Sequence, residues 1–192
     1  MTDLHKNLSE LIRQQSRCHE NEIFQIMELF EYKEYQAGEH LFKIGEKNKQ
    51  IGFVCKGVLR SYNLDDDGNE NTLFFSTEND FVIGNLSPRM KCSFTKQSLT
   101  ETTLLVANYQ DYYDIIIKNN NLLEFHENLF RTIHNKVGNR ISKDFFSNSL
   151  KRYEMFLKNY PGLLNRIPHY HIANYLGITP TQLSRIRKKI LN

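Results

Sequence analysis

Short β-rich runs separated by glycine turns fill the middle of this 192-residue chain and constrain its fold more than any other feature. The runs are Tyr32–Tyr35, His40–Ile44, Ile51–Cys55, Val58–Leu64, Thr72–Ser76, Phe81–Ile83 and Thr102–Tyr109. The acidic segment Asp65–Asn69 lacks the ligand spacing and the distal Glu of a calcium loop, so it predicts a hairpin turn. Many short strands at even spacing predict a closed or double-layered antiparallel barrel.

Helical patterns flank the β-rich region on both sides. From about residue 7 to residue 30, apolar side chains recur three and four positions apart, which indicates a helix. The same spacing predicts one long helix over residues 111–149. Its apolar stripe consists of Leu122, Phe125, Leu129, Ile133, Val137, Ile141 and Phe145. Such a stripe needs a cover, which is either the barrel or the same helix of a second copy.

Charge divides the chain into an acidic body and a basic end. Residues 1–130 carry 13 Lys and Arg against 20 Asp and Glu, a net charge of −7. Residues 131–192 carry 12 Lys and Arg against two acidic residues, a net charge of +10. This asymmetry indicates either a basic module with a polyanionic partner or an ordinary solvated face.

Composition excludes several protein classes. With 40% hydrophobic and 24% charged residues, the chain is neither disordered nor low in complexity. No apolar run has the length of a membrane helix, and residues 1–7 do not resemble a signal peptide. The three cysteines are scattered and form no CxxC pair, which argues against disulfides, a zinc ribbon and an iron–sulfur cluster. We therefore expect a cytoplasmic protein that does not contact membranes.

The last 27 residues predict two short helices joined by a glycine turn. Ile172, Ala173 and Leu176 give the first helix an apolar face, and Gly177 supplies the turn. The second helix begins at Thr179-Pro180, and Gln182 stands where a capping box places its third residue. Leu183, Ile186 and Ile190 are expected to anchor this second helix inward.

The opposite face of the second helix is polar and basic, as in a helix that reads the DNA major groove. The candidate DNA-contacting residues are Thr179, Thr181, Gln182, Ser184, Arg185, Arg187, Lys188 and Lys189. Arg185 is the best candidate for a bidentate contact to guanine, while the flanking cations suit phosphates. The alternative is an ordinary amphipathic helix whose last-turn cations complement its dipole.

The order of these elements resembles the cyclic-AMP receptor/fumarate-nitrate regulator (Crp/Fnr) family of bacterial transcription factors. The resemblance rests on Gly38–Gly45, Phe53–Arg60 and Ile172–Ile186. It implies an α+β fold with three parts: a cyclic-nucleotide-binding-like double-stranded β-helix in residues 1–110, a dimerisation helix in residues 111–149 and a helix-turn-helix domain in residues 150–192. It further implies a homodimer on two-fold-symmetric double-stranded DNA, with RNA polymerase as a candidate partner.

The effector pocket departs from the pattern of the family members that bind cyclic AMP. Asn85 stands where those members have the Glu that holds the ribose, and Cys92 stands where they have the Arg that neutralises the phosphate. The candidate pocket residues are Ile83, Gly84, Asn85, Leu86, Cys92, Ser93 and Phe94. Because a buried phosphate without its cation is poorly compensated, cyclic AMP is a doubtful ligand. The pocket is expected either to take an unidentified small-molecule effector or to be a relic that only stabilises the fold.

The sequence thus predicts a non-enzymatic, DNA-binding transcriptional regulator that acts as a homodimer and requires no identified cofactor. His169 and His171 are two residues apart on a helix, and this spacing predicts no metal site. The sequence stops at Asn192, so we expect no β-hairpin wing after the second helix. We expect the cations of the second helix and Lys151-Arg152 to make the phosphate contacts instead. The alternative is a cyclic-nucleotide-binding-like signalling module whose C-terminal helices bind protein.

Overall fold

The computed structural model describes residues 3–141 and 148–191, which form eight strands, seven α-helices and one 3-10 turn. The strands are β1 Glu31–Tyr35, β2 His40–Phe42, β3 Gln50–Lys56, β4 Leu59–Leu64, β5 Glu70–Ser76, β6 Phe81–Ile83, β7 Thr95–Ser98 and β8 Thr102–Asn108. The helices are α1 Asp3–Gln15, α2 Glu20–Met27, α3 Tyr109–Ile116, α4 Asn120–Ile141, α5 Ser149–Asn159, α6 His169–Leu176 and α7 Pro180–Leu191, with the 3-10 turn at Leu163–Asn165.

The strands form two antiparallel four-stranded sheets, in the orders β1-β8-β3-β6 and β2-β7-β4-β5. We call these eight strands the β domain. Tyr35, Val54 and Leu104 of one sheet pack with Leu59 of the other, so a shared core lies between the sheets. The predicted closed barrel is wrong, because no strand pairing within the described residues joins the two sheets. Each sheet keeps its own edges, and the edge at β5 is covered by a helix instead of another strand.

Side-chain caps divide both of the predicted long helices. The region from residue 7 to residue 30 is two helices, because the Glu22 carboxylate accepts a hydrogen bond from the His19 N–H and starts α2 anew. The region from residue 111 onward is α3 and α4, because the Asn119 side chain accepts hydrogen bonds from the Asn121 and Leu122 N–H groups. Along the predicted stripe, Phe145 and the side chain of Ile141 lie outside the described residues.

The strand pattern of the sequence is largely confirmed, including the hairpin at the acidic segment. There β4 pairs with β5, and the Asp65 carboxylate accepts hydrogen bonds from the Asp67 and Asn69 N–H groups. The sequence patterns missed β7, whose residues Thr-Lys-Gln-Ser carry no apolar side chain. This strand lies in the middle of its sheet, between β2 and β4.

The helices α5, α6 and α7 build a second core directly on β5. Their buried residues pack with Val58 and Phe75 of the β domain. The Phe75 ring contacts the rings of Phe156, Tyr160 and Tyr175 with centroids 5.4–6.3 Å apart. The C-terminal helices therefore lie against the β domain through an aromatic cluster.

We expect Gly57→Ala to destabilise the protein far more than Gly45→Ala. Both glycines have left-handed φ, +110° and +80°, which costs any other residue about 1–2 kcal/mol. A Cβ on Gly57 would also lie 2.7 Å from the Glu101 carbonyl oxygen, whereas a Cβ on Gly45 meets nothing within 4 Å. Urea unfolding should show a loss of roughly 3 kcal/mol or more for Gly57→Ala. Equal losses of unfolding free energy in the two variants would contradict the close approach of Gly57 to the Glu101 carbonyl.

Candidate nucleic-acid interface and effector pocket

The turn between α6 and α7 has the geometry that the sequence predicts. Gly177 adopts φ 64°, and the Ile178 N–H donates to the Ala173 carbonyl, which closes the end of α6. The capping box at the start of α7 is confirmed: the Gln182 N–H donates to Thr179 Oγ1, and the Thr179 N–H donates to Gln182 Oε1. We call α6 and α7 the helix pair.

The two faces of α7 differ in exposure. Leu183 is buried with 1% of its surface exposed, and Ile186 is half-buried. The predicted inward position of Ile190 is wrong, because this residue is 44% exposed in the last turn of α7. The exposed candidate DNA-contacting residues are Thr179, Thr181, Gln182, Ser184, Arg185, Lys188 and Lys189.

Four of the candidate cations and caps use their polar groups in contacts within the protein. Arg187 is half-buried, and its guanidinium lies 3.0 Å from Nδ1 of His169 at the start of α6. The side-chain oxygens of Thr179 and Gln182 are used in the capping box. On α5, Arg152 Nε donates to the Leu176 carbonyl at the end of α6, whereas Lys151 is exposed. Arg185, Lys188 and Lys189 are therefore the cations of α7 that face solvent.

The Asn174 side chain attaches the helix pair to the open edge of β5. Its Oδ1 accepts from the Thr72 N–H at 2.7 Å, and its Nδ2 donates to the Glu70 carbonyl at 2.6 Å. This one amide thus pairs with an N–H and a C=O of an edge strand, as a neighbouring strand does. Farther along β5, the Phe75 N–H donates to the Tyr160 hydroxyl at 3.3 Å.

An ion pair stabilises the other end of the contact between the C-terminal helices and the β domain. Arg166 donates to both carboxylate oxygens of Glu78 at 2.7 and 2.5 Å, and Glu78 also accepts from the Gly57 N–H. Burial raises the pKa of Glu78, but the hydrogen bonds from Arg166 and Gly57 outweigh it, so the net pKa lies below its usual value. Periodicity on α6 identifies its apolar face, but no sequence signal identified Asn174 or Arg166 as a contact to the β domain.

The loop that holds Asn85 and Cys92 is tied together by its own hydrogen bonds. The buried Asn48 amide accepts from the Gly84 N–H and donates to the Asn85 and Ser87 carbonyls. The Leu86 N–H donates to the Asn85 side chain, and the Ser93 N–H donates to the Gly84 carbonyl. These N–H groups are occupied, so they are not directed toward an anion in this loop.

A cavity of about 440 Å³ lies between this loop and α4. The predicted pocket residues that line it are Ile83, Gly84, Asn85, Leu86, Ser93 and Phe94, and α4 adds Phe130, Arg131, Ile133, His134 and Val137. Cys92 does not line the cavity. Its thiol packs beneath Gly84, where it would collide with any added Cβ, and burial raises its pKa to about 11. The thiol at the expected phosphate position is therefore neutral and enclosed.

Among the residues that the structure describes, no group of His, Cys, Asp and Glu side chains could hold a metal ion. His169 is exposed beside Arg187, while His171 is buried against the β domain with its Nδ1 lacking a partner. In the described ranges, no helix is both long enough and apolar enough to cross a membrane.

The β domain is similar to domains of known proteins. Residues 32–119 match the cyclic nucleotide-binding domain model. FixK2 from Bradyrhizobium japonicum has 14% identity and a TM-score of 0.73, with 84% of each chain covered. A protein from Eubacterium rectale assigned to Crp/Fnr-family transcriptional regulators has 20% identity and a TM-score of 0.68 (91% and 84% covered). The c-di-GMP responsive global regulator CLP from Xanthomonas campestris has 14% identity and a TM-score of 0.67 (90% and 92% covered). No curated protein sequence matches the chain.

We expect acid to loosen the contact between α6 and the β domain through His171. Burial, followed by the nearby charge of Arg60, lowers its pKa to about 4. An unfolded His titrates near 6.5, so the unfolded chain binds the extra proton first, and stability is lost as the pH falls from about 6.5 toward 4.

Urea unfolding between pH 7 and pH 4.5 measures this effect. The loss of unfolding free energy should be smaller in His171→Gln than in the wild type, by about 1–3 kcal/mol. His169→Gln is the matched control, because this exposed histidine lies two residues away. A His171→Gln profile parallel to that of the wild type would show that His171 does not titrate in this way.

Proposed function

Because residues 32–119 match the cyclic nucleotide-binding domain model and the chain has the fold of Crp/Fnr regulators, we propose that it is a DNA-binding transcriptional regulator that acts as a homodimer. The helix pair is its helix-turn-helix, and α7 is the recognition helix. In this proposal the protein is cytoplasmic, is not an enzyme, and binds double-stranded DNA, with RNA polymerase as a further candidate partner.

The observation that carries the proposal is the exposed face of α7. Thr181, Ser184 and Arg185 lie exposed in its first half, and Lys188 and Lys189 follow toward its end. Short polar groups and an Arg suit base edges, while the flanking cations suit phosphates. The buried Leu183 and the capping box hold α7 in place from the other side.

A stripe on α4 supports the proposed dimer. Leu122, Phe125 and Leu129 are buried against the β domain, whereas Ile133 and Val137 are only half-buried. Ile133 and Val137 pack on the cluster of Phe42, Phe74, Cys92 and Phe94 and line the cavity under α4, so the β domain covers this part of the stripe incompletely. A second copy would cover the remainder, and it would set the spacing of two recognition helices for half-sites about 34 Å apart.

Strand β5 is the proposed connection between the β domain and the helix pair. Its Phe74 side chain packs on Phe94, which lines the cavity under α4. Its Phe75 side chain lies in the aromatic cluster of the C-terminal helices, and its edge bonds to Asn174. An effector in the cavity that shifts β5 would therefore shift the helix pair directly.

The loop at Gly84–Ser93 argues against a cyclic nucleotide as the effector. The Cys92 thiol is neutral and buried, and Asn48 and Asn85 already bond loop groups that would otherwise bind an anion. The cavity walls are mainly apolar, with Ile83, Leu86 and Phe94 among them. We propose that the effector is another small molecule.

Selection of bound fragments from random duplex DNA tests the proposed function. We expect an enriched palindrome with half-sites one helical turn apart, and the same enrichment with and without added cyclic AMP. Absence of any enriched sequence would contradict the proposal, and enrichment that requires cyclic AMP would contradict the ligand assignment.

We expect Arg185→Ala to weaken binding to the selected duplex by about 1–3 kcal/mol and to relax selectivity at one base pair. Lys189→Ala should weaken binding to all duplexes to a similar extent. Arg17→Ala, an exposed variant between α1 and α2 with the same change in charge, is the control and should bind as the wild type does. Competition binding with single-base variants of the duplex measures all three, and unchanged selectivity in Arg185→Ala would refute its contact to a base.

A further inference from the structure

The cavity between the Gly84–Ser93 loop and α4 has a mainly apolar wall. Its volume of about 440 Å³ lies within the range of roughly 300–1,000 Å³ that is typical of sites for small molecules. The apolar side chains that line it are Ile83, Leu86, Phe94, Phe130, Ile133 and Val137. Leu86 is 55% exposed, so part of this apolar surface is open to water. Removal of such surface from water favours a ligand with an apolar body.

The ionisable side chains of the cavity both come from α4. Arg131 and His134 line it, one helical turn apart, and both are exposed to solvent at its mouth. Among the described residues, no Asp or Glu lines the cavity, and neither do the loop cations Arg89 and Lys91. Because an arginine side chain stays protonated in proteins, the mouth of the cavity carries a positive charge on the side of α4.

The donors of this cationic side are available to a ligand. Neither Arg131 nor His134 has a hydrogen bond or ion pair with another residue that the structure describes. On the opposite wall, the Asn85 amide is occupied, because its Nδ2 donates to the Ser93 hydroxyl and its Oδ1 accepts from the Leu86 N–H. A free guanidinium group matches the two oxygens of a carboxylate through two parallel N–H bonds.

We infer that this cavity binds a monocarboxylic acid with an apolar body, of the medium-chain or phenyl-substituted alkanoic class. The apolar body lies against Ile83, Phe94 and Ile133, and Arg131 donates to both carboxylate oxygens at the mouth. Since Arg131 is exposed, the carboxylate keeps part of its hydration, and no charge is buried without a partner. At roughly 30 Å³ for each water-sized group, the cavity has room for up to about 14 non-hydrogen atoms.

A ligand in this position would connect α4 with the loop and with the neighbourhood of β5. The Phe94 ring, which lines the cavity, packs edge-on against Phe74 of β5 with 5.3 Å between the ring centroids. The role of the acid as an effector rests on the proposed function, whereas its binding to the cavity is measured without DNA.

Isothermal titration calorimetry of the full chain with octanoate and with 4-phenylbutanoate tests the inference. We expect saturable binding of at least one of these acids, with one molecule per chain. The corresponding amide should bind about tenfold more weakly, because it lacks the charge that pairs with Arg131. Butanoate should bind roughly 200-fold more weakly than octanoate, since each buried methylene group changes the affinity about fourfold. No saturable binding of either acid, or equal affinity for acid and amide, would overturn the inference.

Two variants separate the contribution of the charge from that of the apolar contact. Arg131→Gln should lower the affinity for the acid about tenfold and leave the affinity for the amide unchanged. Leu86→Ser, which shortens an exposed side chain of the cavity, should lower both affinities about fivefold. Arg89→Gln removes an exposed arginine of the loop that does not line the cavity, so it is the matched control and should bind both compounds as the wild type does.

Wild-type affinity for the acid in Arg131→Gln would refute the site. This result would leave the proposed DNA binding intact, because selection of duplex fragments tests that proposal separately. Conversely, failure to select any duplex would not change the affinities for acid and amide, so the two proposals fail independently.

Discussion

The contact between α6 and the open edge of β5 determines how the two halves of this protein are arranged. An edge strand exposes unpaired N–H and C=O groups, and natural proteins cover or disrupt such edges. Here the Asn174 amide pairs with the Thr72 N–H and the Glu70 carbonyl, and the Arg166–Glu78 pair holds the far end of the contact. The direction of α7 relative to the β domain follows from this attachment.

Because side chains alternate along a strand, β5 faces two different environments. Phe74 and Ser76 point toward the interior, where the Lys96 ammonium group of β7 contacts both. Phe75 points the other way, into the aromatic cluster of the C-terminal helices. A single strand thus contacts interior groups with one face and the proposed DNA-binding unit with the other, so it joins the two directly.

Short sequence motifs correctly predicted the features that depend on contacts between residues close together in the chain. Thr179 and Gln182 form the expected capping box, and Gly177 has the left-handed conformation of a helix end. The features that the sequence did not predict depend on contacts between residues far apart in the chain. Strand β7 was missed because its inward residue is Lys96, whose burial depends on serines 20 and 35 residues away. The role of Asn174 depends on a strand edge about 100 residues earlier. The edge at β5 likewise has no neighbouring strand because α6 docks on it, which a pattern of alternating residues does not encode.

The salt dependence of binding to a selected duplex is the most direct test of the proposed regulator. A dimer that contacts at least two phosphates per copy should show log affinity falling linearly with log salt, with a slope of about −3.6 or steeper. Lys188 and Lys189 are exposed on each copy for such contacts. A slope near zero would contradict the account, and would indicate that the cationic face of α7 binds another class of partner.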